Sequence, residues 1–376
     1  VVAGDINNSV TREPVESPDA PRIDAPGKTV LPGLIDAHVH LTIPPDGRDS
    51  TALVNYLDDG VAEVLQGFLE HGVTTVRSTG DYWPWIGALR DSVAAGDLQG
   101  PRIRTAGPVV TAAGGHPATT VCARARSDDR PNPFCRCQLA REVTSPEEAR
   151  QAVQTLADEG VNFIKFVSDD LLGPVQIEDS VVRAIVEQAH RDGLKAVGHV
   201  AQIHFMTTYV GFGIDGYVHP PTPAISSRSK KRTRRLARVL TRHGPPVTTT
   251  FAVHVRFGVS HQPADSAFTG PSPPWERLEV AARDVSILAE EGVPIVVGTD
   301  WCACGPNSFV NSLGPGRVTI TEMKMLRWGG MSRHAIIQAA TANAARALEM
   351  DDQVGTLEAG KLADLIVVDG NPLEDL

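Results

Sequence analysis

The chain has 376 residues, 41% of them hydrophobic and 21% charged, which is the balance of a globular protein with a sizeable core rather than of a disordered or fibrous chain. A formal net charge of −10 argues against nucleic acid or an anionic membrane surface as the main partner, and no run of about 18 apolar residues is present to span a bilayer. The expected partner is a small-molecule substrate, and a homo-oligomer is compatible with the sequence.

The opening segment VVAGDINNSV has neither a basic n-region nor a long apolar stretch, so a cytoplasmic location is expected, with export left open because the chain begins at Val1 rather than Met. Cys122, Cys135, Cys137, Cys302 and Cys304 are too few for a disulfide framework in so long a chain, and reduced thiols are the expectation.

In chain order, β-rich runs cover 31–38, 72–77, 102–106, 161–167, 194–199, 214–219, 247–251 and 293–297. Between and after them lie amphipathic stretches at 61–71, 146–159, 177–192, 202–212, 229–243, 275–291 and 333–348. Ser145-Pro146-Glu147-Glu148 marks a helix start, with a capping hydroxyl, a first-turn proline and acidic residues near the positive end of the helix. Alternation of this kind builds parallel strands with crossover helices, and eight strands fit a (β/α)₈ TIM barrel over residues 31–348. An open doubly wound sheet would need a glycine-rich phosphate turn, and no such motif occurs. Residues 1–30 and 349–376 fall outside the alternation and predict a small, incomplete β-sandwich-like layer made by both ends, with one strand in the tail 360–369.

Chemistry is concentrated where strands end. His38 and His40 close the first strand, and because residues two apart on a strand share a face, both can ligate one metal ion. His199 closes the fifth strand, His219 the sixth, and Asp300 follows the eighth. In a barrel these positions converge at the C-terminal mouth. Lys165 lies inside the apolar strand Phe163–Val167, where an uncompensated ammonium opposes folding. It is either ion-paired, or neutral and able to add carbon dioxide, becoming a metal-bridging carbamate.

The runs VLPGLIDAHVHL and GVTTVRSTG, the strand-end residues, and the tail ATANAARALEMDDQVGTLEAGKLADLIVVDGNPL together resemble the amidohydrolase superfamily over about residues 28–376. With His116 in the loop TAAGGH, they are similar to the branch containing prolidase-like and Xaa-Arg dipeptidases, ochratoxinase and imidazolonepropionase. The resemblance implies two divalent ions, zinc by analogy: His38, His40 and Asp300 hold one, His199 and His219 the other, and carboxylated Lys165 bridges them. It further implies that a bridging hydroxide attacks an amide-type carbonyl, that Asp300 moves the proton to the leaving nitrogen, and that His116 binds the substrate oxygen or carboxylate. The expected substrate is a dipeptide, N-acyl amino acid or related amide or carbamate. Two alternatives are a mononuclear cyclic-amide hydrolase or deaminase using His38, His40, His199 and Asp300 with Lys165 unmodified, and a non-catalytic scaffold.

Three segments depart from that pattern. The loop between His116 and Ser145 carries three cysteines and reads as a cover over the mouth, able to form a disulfide or, less readily, a structural metal site. Cys302 and Cys304 receive no chemical role. Arg228–Arg238 is a basic run in an acidic chain, read as a solvated helix face whose start reaches toward an anionic substrate, and it lacks the tyrosine that resemblance to the dipeptidases implies there.

Overall fold

The computed structural model describes residues 1–11, 23–45, 49–122, 133–168, 175–221, 229–253, 274–303 and 313–376. The chain opens with a hairpin, β1 (Val2–Ala3) and β2 (Ile6–Asn7), followed by β3 (Lys28–Pro32). The barrel strands begin with β4 (Leu34–His40), β5 (Val73–Ser78) and β6 (Arg102–Thr105). A parallel rim pair, β7 (Val109–Ala112) and β8 (Ala140–Val143), comes next. The remaining barrel strands are β9 (Ile164–Val167), β10 (Ala196–His199), β11 (Gly216–Val218), β12 (Val247–Thr248) and β13 (Ile295–Val296). Last are β14 (Trp301–Cys302), beside β4, and β15 (Leu365–Asp369) in the tail.

The parallel strands fall into two sheets, ordered β14-β4-β5-β6 and β13-β12-β11-β10-β9-β7-β8. Backbone hydrogen bonds link the sheets on both sides. Ala37 N donates to Val297 O at 2.9 Å beside β13, and Asn162 N donates to Thr105 O at 2.8 Å between β6 and β9. The eight barrel strands therefore enclose an interior filled by alternate side chains, the (β/α)₈ arrangement that the sequence predicts.

Helices cover the outside through apolar stripes. Val61–Glu70 buries Val61, Leu65 and Phe68 at helical spacing, and Asp179–Arg191 buries Val181, Val182, Ile185, Val186 and Ala189. Ser145 caps Pro146–Asp158 as predicted, its hydroxyl accepting from Glu148 N at 3.2 Å. Sequence periodicity misses the helices Ser50–Asp59, Trp85–Ala95, Pro133–Leu139 and Arg317–Trp328. The predicted helix 333–348 is two pieces, Arg333–Ala339 and Ala342–Ala347. Its carbonyls at Ala339 and Ala340 are taken by Val297 N and Ile35 N of the barrel, which competes with the helical ladder and breaks it there.

The predicted first strand 31–38 is likewise two strands meeting at Gly33. There the backbone passes so close to Thr74 that a Cβ would lie 2.1 Å from its hydroxyl oxygen. Before that crossing, β3 pairs antiparallel with β15 along five register positions, and Asn7 N donates to Lys361 O at 2.8 Å, so both chain ends meet in a β layer.

The expectation of reduced thiols is corrected at Cys122, Cys135 and Cys302. Cys122 and Cys135 form a disulfide with Cα atoms 5.5 Å apart, packed among Ile43, Leu53, Tyr82 and Leu139. This apolar cluster brings together sulfurs 13 residues apart and removes two of the three thiolates that a structural metal there would need. Cys137 is free and exposed, Cys302 is disulfide-bonded, and Cys304 lies outside the described residues.

Candidate active site

Strand alternation aims Asp36, His38 and His40 of β4 into the barrel. Asp36 is wholly buried and acts as a clamp. It accepts from His38 N at 3.3 Å and Thr299 N at 3.1 Å, and from the hydroxyls of Thr299 at 2.9 Å and Thr319 at 2.7 Å. The clamp ties β4 to the segment after β13, where Asp300 N donates to His38 O at 2.8 Å. Gly298 makes the approach possible, since a Cβ there would stand 2.7 Å from His38 Cβ. Asp300 then turns at φ 58°, and His219, directly after β11, at φ 77°. Non-glycine residues rarely adopt this left-handed region, and such strain concentrates at functional sites.

The side chains converge. Asp300 Oδ1 lies 3.0 Å from His40 Nε2 and 3.3 Å from His38 Nε2. Ring centroids are 4.9 Å apart for His38 and His219, 3.9 Å for His199 and His219, and 5.6 Å for His116 and His199. One potential ligand atom from each of His38, His219 and Asp300 lies within 4.8 Å of the others. Lys165, 2% exposed, enters from β9, whose register sets it beside Val197, two residues before His199. All seven residues singled out from the sequence thus surround one end of the barrel. His116 comes from the loop after β7, where His116 Nδ1 and Thr120 Oγ1 are 2.5 Å apart.

Hydrogen bonding exposes what the cluster needs. His40 Nδ1 lies 2.6 Å from Gly80 O, which can only accept, so Nδ1 carries the proton. In the neutral ring the Nε2 lone pair then faces a carboxylate oxygen, an acceptor against an acceptor, and a cation between them resolves the conflict. Among the described residues, His38 Nδ1 is buried without a partner. Imidazole nitrogens and a carboxylate oxygen at this spacing are a donor set that fits a divalent transition metal such as zinc.

Electrostatics favours the ligating forms of His38, His199, His219 and Asp300. Burial, with Lys165 nearby, lowers His38 to about 3 against the pull of Asp300, and burial keeps His199 and His219 well below the ordinary imidazole value. Burial and the charge of Arg77 bring the Lys165 amine to about 7, despite the opposing Asp300 carboxylate. Burial alone would raise Asp300, but the imidazoles hold it well below the usual carboxylate range. Burial lowers His40, but the hydrogen bond and charge of Asp300, with Asp81 and the Gly80 carbonyl, together outweigh it and move it upward.

Sequence reasoning misses the supports of this cluster. Asp81 accepts from Leu41 N at 2.9 Å, Thr42 N at 2.6 Å, and the hydroxyls of Thr42 and Ser78 at 2.8 and 2.5 Å, fixing the turn after His40. Thr250 pairs with His219 Nδ1 at 2.8 Å, and Glu322 accepts from Phe251 N and Ala252 N at 2.9 and 2.7 Å, holding the end of β12. Asp36 was open to discovery, since it shares the alternation of His38 and His40. Asp81 and Glu322 carry no comparable local signal. The start of the basic run, Arg228, and much of the loop between His116 and Ser145 lie outside the described residues.

The profile of the amidohydrolase family matches residues 29–376. Ochratoxinase of Aspergillus niger is 25% identical over 378 residues, covering 92% of this chain and 71% of that protein. A prolidase solved with N-methylphosphonate-L-proline is 25% identical with a TM-score of 0.78, over 100% of this chain and 88% of that one. A Xaa-Pro dipeptidase solved with methionine in its active site is also 25% identical with a TM-score of 0.78, over 100% and 89% of the two chains. With the barrel, the polar cluster at strand ends and a family profile that spans nearly its whole length, the chain belongs to the amidohydrolase family.

Proposed function

We propose that this chain is a binuclear metallohydrolase that cuts an amide-type C–N bond in a dipeptide or N-acyl amino acid. His38, His40 and Asp300 would hold one divalent ion, His199 and His219 the other, with carboxylated Lys165 shared between them; zinc suits the nitrogen and oxygen donors. The observation that carries this reading is the convergence of His38 Nε2 and His40 Nε2 on Asp300 Oδ1, at 3.3 and 3.0 Å, among buried imidazoles. Similarity to a prolidase, a Xaa-Pro dipeptidase and an ochratoxinase supports the substrate class.

When bound, the ions polarise the scissile carbonyl and supply hydroxide near neutral pH. The chain's own groups do the rest. A lysine amine held near 7 is substantially neutral at physiological pH, so it can add carbon dioxide and release one proton, becoming an anionic carbamate. That charge balances cations which neutral imidazoles cannot. Asp300, kept ionised, accepts the proton of the attacking water and returns it to the departing nitrogen. His116 stands at the rim, beside His199, where a ring N–H reaches the substrate's carbonyl oxygen or carboxylate.

The test is a panel of Xaa-Pro and Xaa-Arg dipeptides, N-acyl amino acids, cyclic amides and aryl carbamates. It is run on metal-stripped protein and on protein reconstituted with zinc and bicarbonate. Expected are two zinc ions per chain and turnover of a dipeptide or N-acyl amino acid that a chelator abolishes. One ion per chain with turnover of a cyclic amide would favour the mononuclear reading, and no chelator-sensitive turnover across the panel would overturn hydrolysis altogether.

A further inference from the structure

The barrel interior contains a second group of charges, set apart from the proposed metal ligands although Arg77 also acts on Lys165. Arg77 of β5 and Arg104 of β6 are register partners, and both line a small cavity with Asn162, Phe163, Lys195 and Glu349. Phe163 precedes Lys165 by two residues, and Val197, also in the lining, precedes His199 by two. By strand alternation the cavity therefore lies one interior layer toward the N-terminal ends of the strands, beneath the metal-ligand cluster.

Its charges do not balance. Three cations line it against one carboxylate, and Glu349 makes its ion pair with Lys195 at 3.6 Å. Arg77 is 3% exposed and spends Nε on Ala37 O at 2.8 Å and Nη2 on Thr248 Oγ1 at 3.1 Å, both neutral acceptors. Among the described residues, Arg104 Nε is buried with no hydrogen-bond partner. Burial lowers Arg77 to about 10, with Asp36 opposing, so it remains a cation at neutral pH. Asp36 acts on Arg77 and Glu349 on Arg104, so two carboxylates face the three cations and one positive charge stays in excess, which a counter-ion in the shared cavity would balance.

We propose that this recess is an anion site, binding a single inorganic monoanion of the chloride type between Arg77, Arg104 and Lys195. A volume of about 10 Å³ suits a single small ion better than a larger anion such as sulfate. Entry is from the N-terminal end of the barrel, where the Lys195 and Glu349 side chains are 32% and 46% exposed. The anion holds β5, β6 and the strands after Phe163 and Lys195 together and takes no part in bond cleavage.

The test uses thermal unfolding of the full chain exchanged into gluconate, then titrated with chloride or bromide at constant ionic strength. The melting temperature rises saturably by roughly 2 °C or more, as expected for a ligand that binds the folded state alone. Arg104→Gln and Lys195→Gln, which leave the deeply buried Arg77 in place, each abolish the rise, and bromide-soaked crystals give an anomalous peak between Arg77 and Arg104. An equal rise in both variants, no rise above the gluconate control, or water density in place of the bromide peak overturns the site. Because the readout is unfolding, it is independent of whether the mouth hydrolyses anything.

Discussion

Two sets of buried ionisable groups in the same barrel are treated in opposite ways. Asp36, Asp81 and Glu322 each accept two or more hydrogen bonds from backbone or hydroxyl donors, and they join segments far apart in sequence. At the mouth, His38 Nε2 and His40 Nε2 crowd one oxygen of Asp300, and His38 Nδ1 has no partner among the described residues. Satisfied buried polar groups build the scaffold; unsatisfied ones, held in place by that scaffold, mark where an external cation and a substrate belong.

The sharpest way to break that contrast is substitution on each side of it. Asp300→Asn removes the proposed ligand and proton carrier while keeping shape, so kcat/KM should fall by about 10³-fold or more with the melting temperature nearly unchanged. A comparable loss of stability would move Asp300 into the scaffold set. Asp81→Ala should do the reverse. Four donors lose their acceptor, costing about 3–4 kcal/mol in urea unfolding, and activity falls because the turn that fixes His40 loosens.

Glu322 sharpens the comparison through pH. Burial raises its carboxyl to about 7 from an ordinary 4.5, outweighing its backbone hydrogen bonds, so the folded state prefers the neutral acid. Its contribution is full below the unfolded value and is lost as pH rises through 7, a decline of order 3 kcal/mol. In Glu322→Gln the difference in unfolding free energy between about pH 5 and about pH 8 should shrink; an undiminished slope would assign it to other groups. The smallest effect belongs to the terminal layer, where Lys28 and Asp369 pair at 2.9 Å with side chains 45% and 90% exposed. Lys28→Met should shift the melting temperature by no more than about 1 °C and leave activity alone, because solvent screens such a pair.

The barrel was legible because each of its strands carries a short apolar run, and much of the candidate site because His38, His40, His199, His219 and Asp300 stand where those runs stop. Lys165 was conspicuous as a cation within an apolar strand. What escaped depends on tertiary contacts. The carboxylate of Asp36 meets Thr299 and Thr319, more than 260 residues away, and no local pattern announces that. The Cys122–Cys135 bond depends on the cluster of Ile43, Leu53 and Tyr82, contributed by distant segments. The break between Ala339 and Ala342 arises because barrel N–H groups claim helical carbonyls. The rim strands β7 and β8, four residues each, are too short to stand out by periodicity.

The central claim is that the mouth is a cradle for two cations, and anomalous diffraction at the zinc absorption edge on zinc-reconstituted crystals tests it most directly. The account predicts two peaks, one against His38, His40 and Asp300 and one against His199 and His219, with density for a carboxylated Lys165 between them. A mouth with no peak, or zinc bound away from these side chains, would contradict it.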